Sequence, residues 1–282
     1  LSEDNIYTIF KKYTCTIEEF NIQYNKFFNS LLPLQLIKKF SNSLFIGLFE
    51  LSISGLIHSD IKPDNIMVNV DGYNNINTLF KDIKKKKINL DKLFQITDIK
   101  IIDFNKTQKE KSLFKSTSIQ TLYYTPPEIV LGNRYYNNSV DLWAVCCIIH
   151  ELSTSLFLFD VFNYNNKNKL HYKEYEKDDD INETEEDSLD YEYDDEDFEH
   201  FALLHIYKSK LGNNNLKEGK YVNTYYSNGQ LMGDINNNFI ENNIIENNIH
   251  IGDLVKFMNK DTKFISNIIS IITLHTSYFI RS

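Results

Sequence analysis

Residues 58–65 read His-Ser-Asp-Ile-Lys-Pro-Asp-Asn, and this stretch decides how the chain is interpreted. It follows a largely apolar run with helical periodicity and precedes a short strand-like run, residues 66–70. Phosphoryl transfer needs a carboxylate that orients the attacking hydroxyl, a cation on the transferred group and oxygen ligands for Mg²⁺. Asp60, Lys62 and Asn65 can supply these groups. Their spacing predicts a catalytic loop, with a polar turn after a helix as the alternative.

A second motif follows at residues 99–105, Ile-Lys-Ile-Ile-Asp-Phe-Asn, which reads as a strand ending in an acid. The two motifs, in this order, resemble the catalytic loop and the Asp-Phe-Gly element of protein kinases. The resemblance implies that Asp60 is the catalytic base and that Lys62 contacts the γ-phosphate of ATP. It also implies that Asn65 and Asp103 bind the Mg²⁺ that accompanies the nucleotide.

Two further stretches extend the resemblance. Residues 120–128 are similar to the end of a kinase activation segment, in which a Thr corresponding to Thr121 bonds the catalytic Asp and Lys. Residues 141–145, Asp-Leu-Trp-Ala-Val, resemble the start of the central buried helix of kinases. In the family the Asp of that helix, here Asp141, braces the backbone of the catalytic loop.

The four motifs imply an α+β, mainly α-helical fold, the C-terminal large lobe of a protein kinase. A Gly-rich phosphate loop and a Lys-bearing strand are not recognisable before the catalytic loop, so we expect the N-terminal small lobe to be missing. Residues 1–282 would then be a truncated kinase domain that is inactive by itself. We expect two inserts, a polar, spacer-like one at about 71–97 and an acidic, partly disordered one at 164–197.

Several residues narrow the resemblance to the SR-protein kinases, which phosphorylate Arg/Ser-rich proteins. Their catalytic loop reads H-T-D-I-K-P-E-N, and Ser59 stands where most kinases have an Arg that binds an activation-loop phosphate. Residues 119–124 are similar to the I-Q-T-R-Q-Y of that branch. Asp60 and Asp103 are 43 positions apart, which leaves room for the spacer of the branch. The resemblance implies transfer of the ATP γ-phosphate to serine in Arg/Ser-rich proteins, linked to mRNA splicing.

Two residues depart from the family pattern. Asn105 replaces the Gly of Asp-Phe-Gly, and since Asn tolerates positive φ we expect the backbone turn there to survive. Leu122 replaces an Arg of the branch, which weakens the expected anchoring of that loop. A pairing of Glu128 with Arg281, like the ion pair that anchors the activation segment in kinases, is a further expectation.

The negative charge of the chain is concentrated in one segment. Of 39 acidic residues, 16 lie within residues 173–199 beside two lysines, which leaves 28 basic and 23 acidic residues elsewhere. Such a segment attracts arginine-rich substrates, although a self-repelling loop is the alternative. The docking candidates are the acids nearest the following helix, Asp194, Asp195, Glu196 and Asp197.

The remaining composition bounds the setting of the protein. Cys15, Cys146 and Cys147 form neither a disulfide framework nor a metal-binding spacing, which favours a reducing intracellular setting. The resemblance to the SR-protein kinases implies cytoplasm or nucleus. We expect a monomer that binds neither nucleic acid nor membrane directly. Two alternatives stay open: a pseudokinase or docking module for basic partners, and another kinase of the cyclin-dependent or dual-specificity group.

Overall fold

The computed structural model describes residues 11–112, 115–116, 118–131, 134, 136–163, 199–200, 202–204, 206–207, 226–227 and 230–231. The chain divides into two units. The first comprises Leu1–Pro126 and Arg134–Leu158, and the second comprises Pro127–Asn133 and Phe159–Ser282. All of the predicted catalytic and Mg²⁺-binding residues belong to the first unit.

The described part of the first unit is mainly helical. Its helices are α1 (Ile17–Phe28), α2 (Leu34–Ile53), α3 (Ile76–Lys84), α4 (Leu90–Ile96) and α6 (Ser139–Thr154). Its strands are short: β1 (Cys15–Thr16), β2 (Leu56–Ile57), β3 (Ile66–Val70), β4 (Thr97–Ile101) and β5 (Gln108–Lys109). Both strands expected beside the motifs form, and the second ends two residues before Asp103.

An antiparallel sheet with the strand order β1-β3-β4 positions the two motifs. The 3₁₀ turn Pro63–Asn65 leads directly into β3, and β4 leads directly towards Asp103. In the register of this hairpin Ile66 pairs with Ile101. The backbone N–H of Ile102 then donates to the carbonyl of Asn65 at 2.9 Å. The first residue of β3, which follows the catalytic loop, therefore lies beside the last residue of β4, which leads to Asp103.

Helices α2 and α6 pack together behind this sheet. α2 buries one face, since Leu36, Phe40, Leu44 and Leu48 recur at every fourth position. α6 is buried on nearly all sides, and Trp143 is 1% exposed. Trp143 is thus a core residue.

The insert at 71–97 contains the helices α3 and α4, which the expectation of a polar, spacer-like segment did not include. Asn75 and Asn89 cap α3 and α4 by accepting hydrogen bonds from backbone N–H groups of the first turn. Phe80 of α3 is 1% exposed. Its ring lies against four aromatic rings of α1, with centroids 5.5–6.1 Å away, those of Phe20, Tyr24, Phe27 and Phe28. The insert therefore extends the hydrophobic core instead of looping into solvent.

The described part of the second unit comprises helix α5 (Pro127–Val130), a two-stranded antiparallel hairpin and a few further helical residues. The hairpin strands are β6 (Tyr226–Ser227) and β7 (Gln230–Leu231). The rings of Phe159 and Tyr207 meet edge to face at 4.7 Å. The predicted acidic insert, 164–197, lies outside the described residues. Among the described helices, none is long and apolar enough to cross a membrane.

Candidate active site

The carboxylate of Asp60 is the centre of the site. The residue is 5% exposed, and each of its two oxygens has two partners. Oδ2 lies 3.5 Å from the ammonium of Lys62 and accepts a hydrogen bond from Asn65 Nδ2 at 3.3 Å. Oδ1 accepts a hydrogen bond from the Thr121 hydroxyl at 3.3 Å and lies 3.5 Å from the ammonium of Lys106. The structure thus brings the predicted base, phosphate contact and loop anchor together.

Asp141 holds the backbone of the catalytic loop. Its carboxylate accepts hydrogen bonds from the backbone N–H groups of His58 at 2.7 Å and Ser59 at 3.0 Å. The side chain of Gln120 joins them: its Nε2 donates to Asp141 at 2.9 Å and its Oε1 accepts from the N–H of Ile61 at 3.0 Å. Burial raises the pKa of Asp141, while these donors act in the opposite direction. Helix α6 and the activation segment therefore fix the loop from two sides.

His58 is a structural residue of the loop. It is fully buried, and its Nε2 lies 3.0 Å from the carbonyl oxygen of Ile102 while its Nδ1 lies 3.3 Å from the N–H of Asp60. A carbonyl only accepts and a backbone N–H only donates, so the imidazole carries its proton on Nε2. The ring joins the catalytic loop to the segment before Asp103.

Asn65 and Asp103 are the residues that could hold Mg²⁺. The Asn65 amide nitrogen donates to the carbonyl of Asp60 at 2.9 Å and to its carboxylate, so its side-chain oxygen points to the other side. Asp103 is exposed and follows Ile102, which bonds the Asn65 backbone. None of the described residues forms a cluster of three or more His, Cys, Asp or Glu suited to a metal. One amide and one carboxylate oxygen nevertheless fit Mg²⁺, because it usually takes one or two protein ligands beside phosphate and water.

Three non-glycine residues at the site have left-handed backbone: Ser59 (φ 69°), Asp103 (φ 62°) and Gln120 (φ 63°). Such conformations are costly and concentrate at functional sites. The positive φ expected at Asn105 occurs instead at Asp103, which corrects that expectation. The N–H of Asn105 donates to the Asp103 carboxylate at 3.4 Å. The turn therefore forms, with the positive φ at Asp103 instead of Asn105.

A group of carboxylates lies beside the catalytic loop, and we call Glu18, Asp64 and Glu151 the acidic cluster. Glu18 of α1 shares a hydrogen bond with Asp64 of the loop, which raises the pKa of Glu18 to about 7, and partial burial adds to the shift. Glu151 of α6 accepts a hydrogen bond from the Tyr124 hydroxyl at 2.7 Å. Burial raises the pKa of Glu151. Carboxylates from three elements therefore face one another, and a proton relieves their repulsion.

The Glu18 proton gives a pH prediction. Folding raises the pKa of Glu18 from 4.5 to about 7, so the folded chain binds this proton more tightly than the unfolded chain. The resulting stabilisation is complete below pH 4.5 and disappears as the pH rises through 7. We expect Glu18→Gln to be more stable than wild type at pH 8 by on the order of 1 kcal/mol, since the side chain is only partly shielded. Urea unfolding at pH 5 and pH 8 measures the difference.

The control for this prediction is Glu19→Gln, because Glu19 is the exposed neighbour on the same helix. Its variant should keep the pH dependence of wild type. An equal pH dependence in wild type and Glu18→Gln would contradict the shared proton.

The remaining predicted residues are placed as follows. Asp194, Asp195, Glu196, Asp197 and Arg281 lie outside the described residues, so the docking and Glu128–Arg281 hypotheses stay predictions. Glu128 itself is 3% exposed in α5. The three free cysteines are buried.

Four residues of the site were not predicted from the sequence. Gln120 lies within residues 119–124, the stretch similar to the SR-protein kinases, but its position there does not indicate a role. Lys106, Glu18 and Glu151 reach the site from a loop and from helices α1 and α6, outside the residues by which the motifs were recognised.

Comparisons with known proteins identify the family of the chain. Residues 2–210 match the family model of the protein kinase domain. The chain therefore belongs to the protein kinase family, which confirms the predicted fold class. Curated relatives fall in the wider group of cyclin-dependent, dual-specificity and other serine/threonine kinases.

Two relatives and one solved structure were matched, with the following extents of similarity. The dual specificity protein kinase YAK1 homolog of Arabidopsis thaliana is 34% identical over 129 residues, 45% of this chain and 11% of that protein. The probable serine/threonine-protein kinase clkA of Dictyostelium discoideum is 31% identical over 171 residues, 58% of this chain and 18% of that protein. A solved chain of the yeast RNA Pol II CTD kinase CTDK-1 complex superposes with a TM-score of 0.40 at 21% identity, covering 52% of this chain and 40% of that one. The chain spans less than a fifth of the length of these curated relatives.

Proposed function

We propose that this chain is the phosphoryl-transfer part of a serine/threonine protein kinase that phosphorylates serine in Arg/Ser-rich proteins, in a role linked to mRNA splicing. The observation that carries the proposal is the arrangement at Asp60. Its carboxylate contacts Lys62, Asn65 and Thr121, and the segment leading to Asp103 is bonded to the same loop. These are the groups that phosphoryl transfer requires, in contact or adjacent to one another.

Each residue of the site has a role that follows from its chemistry. Asp60 accepts a hydrogen bond from the serine hydroxyl, orients it and takes its proton as the oxygen attacks. The Lys62 ammonium places positive charge beside the transferred phosphoryl group. Thr121 anchors the activation segment to the base. Asn65 and Asp103 would hold Mg²⁺, which supplies positive charge to the phosphate oxygens of ATP when bound.

The acidic cluster is the structural argument for a positively charged substrate. Glu18, Asp64 and Glu151 lie beside the loop that carries the base, and the hydrogen bond with Asp64 raises the pKa of Glu18 to about 7, so Glu18 keeps its proton up to about that pH. An Arg guanidinium can replace that proton and pair with two carboxylate oxygens at once. The acidic stretch of the sequence at 173–199 adds long-range attraction for the same kind of substrate.

A second candidate is a kinase of the cyclin-dependent or dual-specificity group with a different acceptor sequence. The similarity to the YAK1 homolog and to a putative cyclin-dependent kinase of Dictyostelium discoideum favours it. The pseudokinase alternative is disfavoured, because Asp60, Lys62 and Asn65 are all present and in contact. We further propose that the protein is a monomer in cytoplasm or nucleus and binds neither nucleic acid nor membrane directly.

The experiment measures phosphate transfer by the full-length protein to three acceptor peptides and compares their kcat/KM values. The peptides are an Arg-Ser repeat, the same repeat with Lys in place of Arg, and a Ser-Pro peptide without Arg. We expect kcat/KM for the Arg-Ser repeat to exceed that for the Lys version by about tenfold, because Lys lacks the bidentate fork. Glu18→Gln should lower the ratio of the kcat/KM values for the Arg-Ser repeat and its Lys version, and it should leave phosphate transfer to the Ser-Pro peptide unchanged.

The other outcomes separate the alternatives. A preference for the Ser-Pro peptide assigns the protein to the second candidate. Binding of the Arg-Ser repeat without any phosphate transfer, with ATP and Mg²⁺ present, indicates a docking module.

A further inference from the structure

The base Asp60 has more partners than its proposed role needs. A carboxylate offers about four acceptor positions, two on each oxygen. Asn65 and Thr121 donate hydrogen bonds to Oδ2 and Oδ1, and the ammonium groups of Lys62 and Lys106 lie 3.5 Å from the same two oxygens. A substrate hydroxyl that approaches either oxygen therefore meets a hydrogen-bond donor and an ammonium group that are already there.

The four partners are held with unequal strength. Asn65 is buried and makes a second hydrogen bond to the Asp60 backbone. Thr121 bonds Thr125 through its carbonyl in the adjoining turn. The Lys62 side chain is 27% exposed, whereas that of Lys106 is 51% exposed. An ion pair of such an exposed lysine contributes little and is screened by salt, so Lys106 is the partner most easily displaced.

We propose that Lys106 occupies the position on Oδ1 that the acceptor hydroxyl takes, so that it competes with the substrate and sets its affinity. The proposal rests on the proposed kinase function. In the free protein the positive charge of the Lys106 ammonium offsets the negative charge of the Asp60 carboxylate and keeps that carboxylate in place. On binding, the hydroxyl exchanges one contact of Oδ1 for another, while the two partners of Oδ2 stay.

Lys106 comes from the segment after Asp103, so the competition links acceptor binding to that segment. The lysine lies three residues beyond Asp103, on the loop that precedes β5. When the hydroxyl displaces it, the ammonium must leave Oδ1, and the loop is freed from the catalytic base. The same ion pair therefore opposes acceptor binding and restrains the segment in the absence of substrate.

The test substitutes Lys106→Met in the full-length protein, since Met keeps the length of the side chain without its charge. The control is Lys111→Met, an exposed lysine further along the same segment. Calorimetric titration with the Arg-Ser repeat, in the absence of ATP, measures acceptor affinity without turnover. We expect Lys106→Met to bind the peptide about two- to five-fold more tightly than wild type, the range of an exposed ion pair. The control should match wild type.

Steady-state kinetics and salt provide the second reading. The KM for the peptide should fall by about the same factor with kcat unchanged, and the difference between Lys106→Met and wild type should shrink as salt rises. Unchanged or weaker peptide binding by Lys106→Met overturns the inference, and so does a fall in kcat, which would make Lys106 a catalytic cation. Absence of transfer by wild type would instead defeat the proposed function, and the calorimetric comparison still decides the role of Lys106.

Discussion

Asp60→Asn should lower phosphate transfer to a serine peptide by at least about 100-fold while the protein stays folded. The amide is isosteric with the carboxylate, and its single oxygen can still accept from Thr121 when it occupies the Oδ1 position. It cannot take the proton of the attacking hydroxyl, so the contribution of the general base is lost, together with the ion pairs to Lys62 and Lys106. Transfer of radiolabelled phosphate under single-turnover conditions measures the effect, and a thermal melt checks the fold.

Asp98→Asn is the matched control for this substitution. Asp98 is an exposed residue of β4 that pairs with Lys100 on the surface at 3.2 Å. The chemical change is the same, and the variant should transfer phosphate at the wild-type rate. A loss of less than about tenfold in Asp60→Asn would remove Asp60 from the role of base.

Phe80→Ala should destabilise the chain by about 3–5 kcal/mol, the cost of removing a buried aromatic ring from a core. The ring is 1% exposed and packs against the aromatic side chains of α1. If the insert were a solvated spacer, the same change would cost almost nothing. Chemical unfolding of wild type and variant measures the difference in free energy of unfolding.

Phe94→Ala serves as the control within the same insert. Phe94 belongs to α4 and is 37% exposed, with the ammonium of Lys39 over its ring. The ring contributes less buried area, so the expected cost is about 1 kcal/mol or less. Equal losses in the two variants would show that the insert has no preferential contact with α1 through Phe80.

The motifs were predictable because each is local in the chain. The catalytic loop spans eight consecutive residues, 58–65, and the strands on either side follow from short apolar runs. Hydrophobic periodicity also located α2, although it did not locate its ends. The apolar run before the catalytic loop contains α2 and then the separate strand β2, and Gly55 at φ 64° ends the helical path between them.

The helices of the insert were not predicted, because its polar residues dominate its composition. Residues 84–87 are four lysines. The apolar residues just before them recur at helical spacing, at Ile76, Leu79, Phe80 and Ile83, and all four are buried. That pattern predicts a one-sided helix. Its partner could not be read from the sequence, because the ring contacts join α3 to α1, about 50 residues earlier in the chain.

The finer electrostatics of the site depend on tertiary contacts between distant residues. The shared proton of Glu18 requires Asp64, which lies on the catalytic loop, to face α1. The contact of Lys106 with Asp60 depends on the path of the chain after Asp103. A motif gives the residues that carry the chemistry, and only the fold shows which other charges reach them.

Mg²⁺-dependent transfer of the γ-phosphate of ATP to serine tests the central claim most directly. The full-length protein is incubated with radiolabelled ATP and the Arg-Ser repeat, with Mg²⁺ or with EDTA, alongside the Asp103→Asn variant. We predict labelled phosphoserine with wild type and Mg²⁺, and none with EDTA or with Asp103→Asn. A wild-type protein that binds ATP but labels no serine or threonine acceptor would contradict the assignment of Asp60, Lys62, Asn65 and Asp103 to phosphoryl transfer.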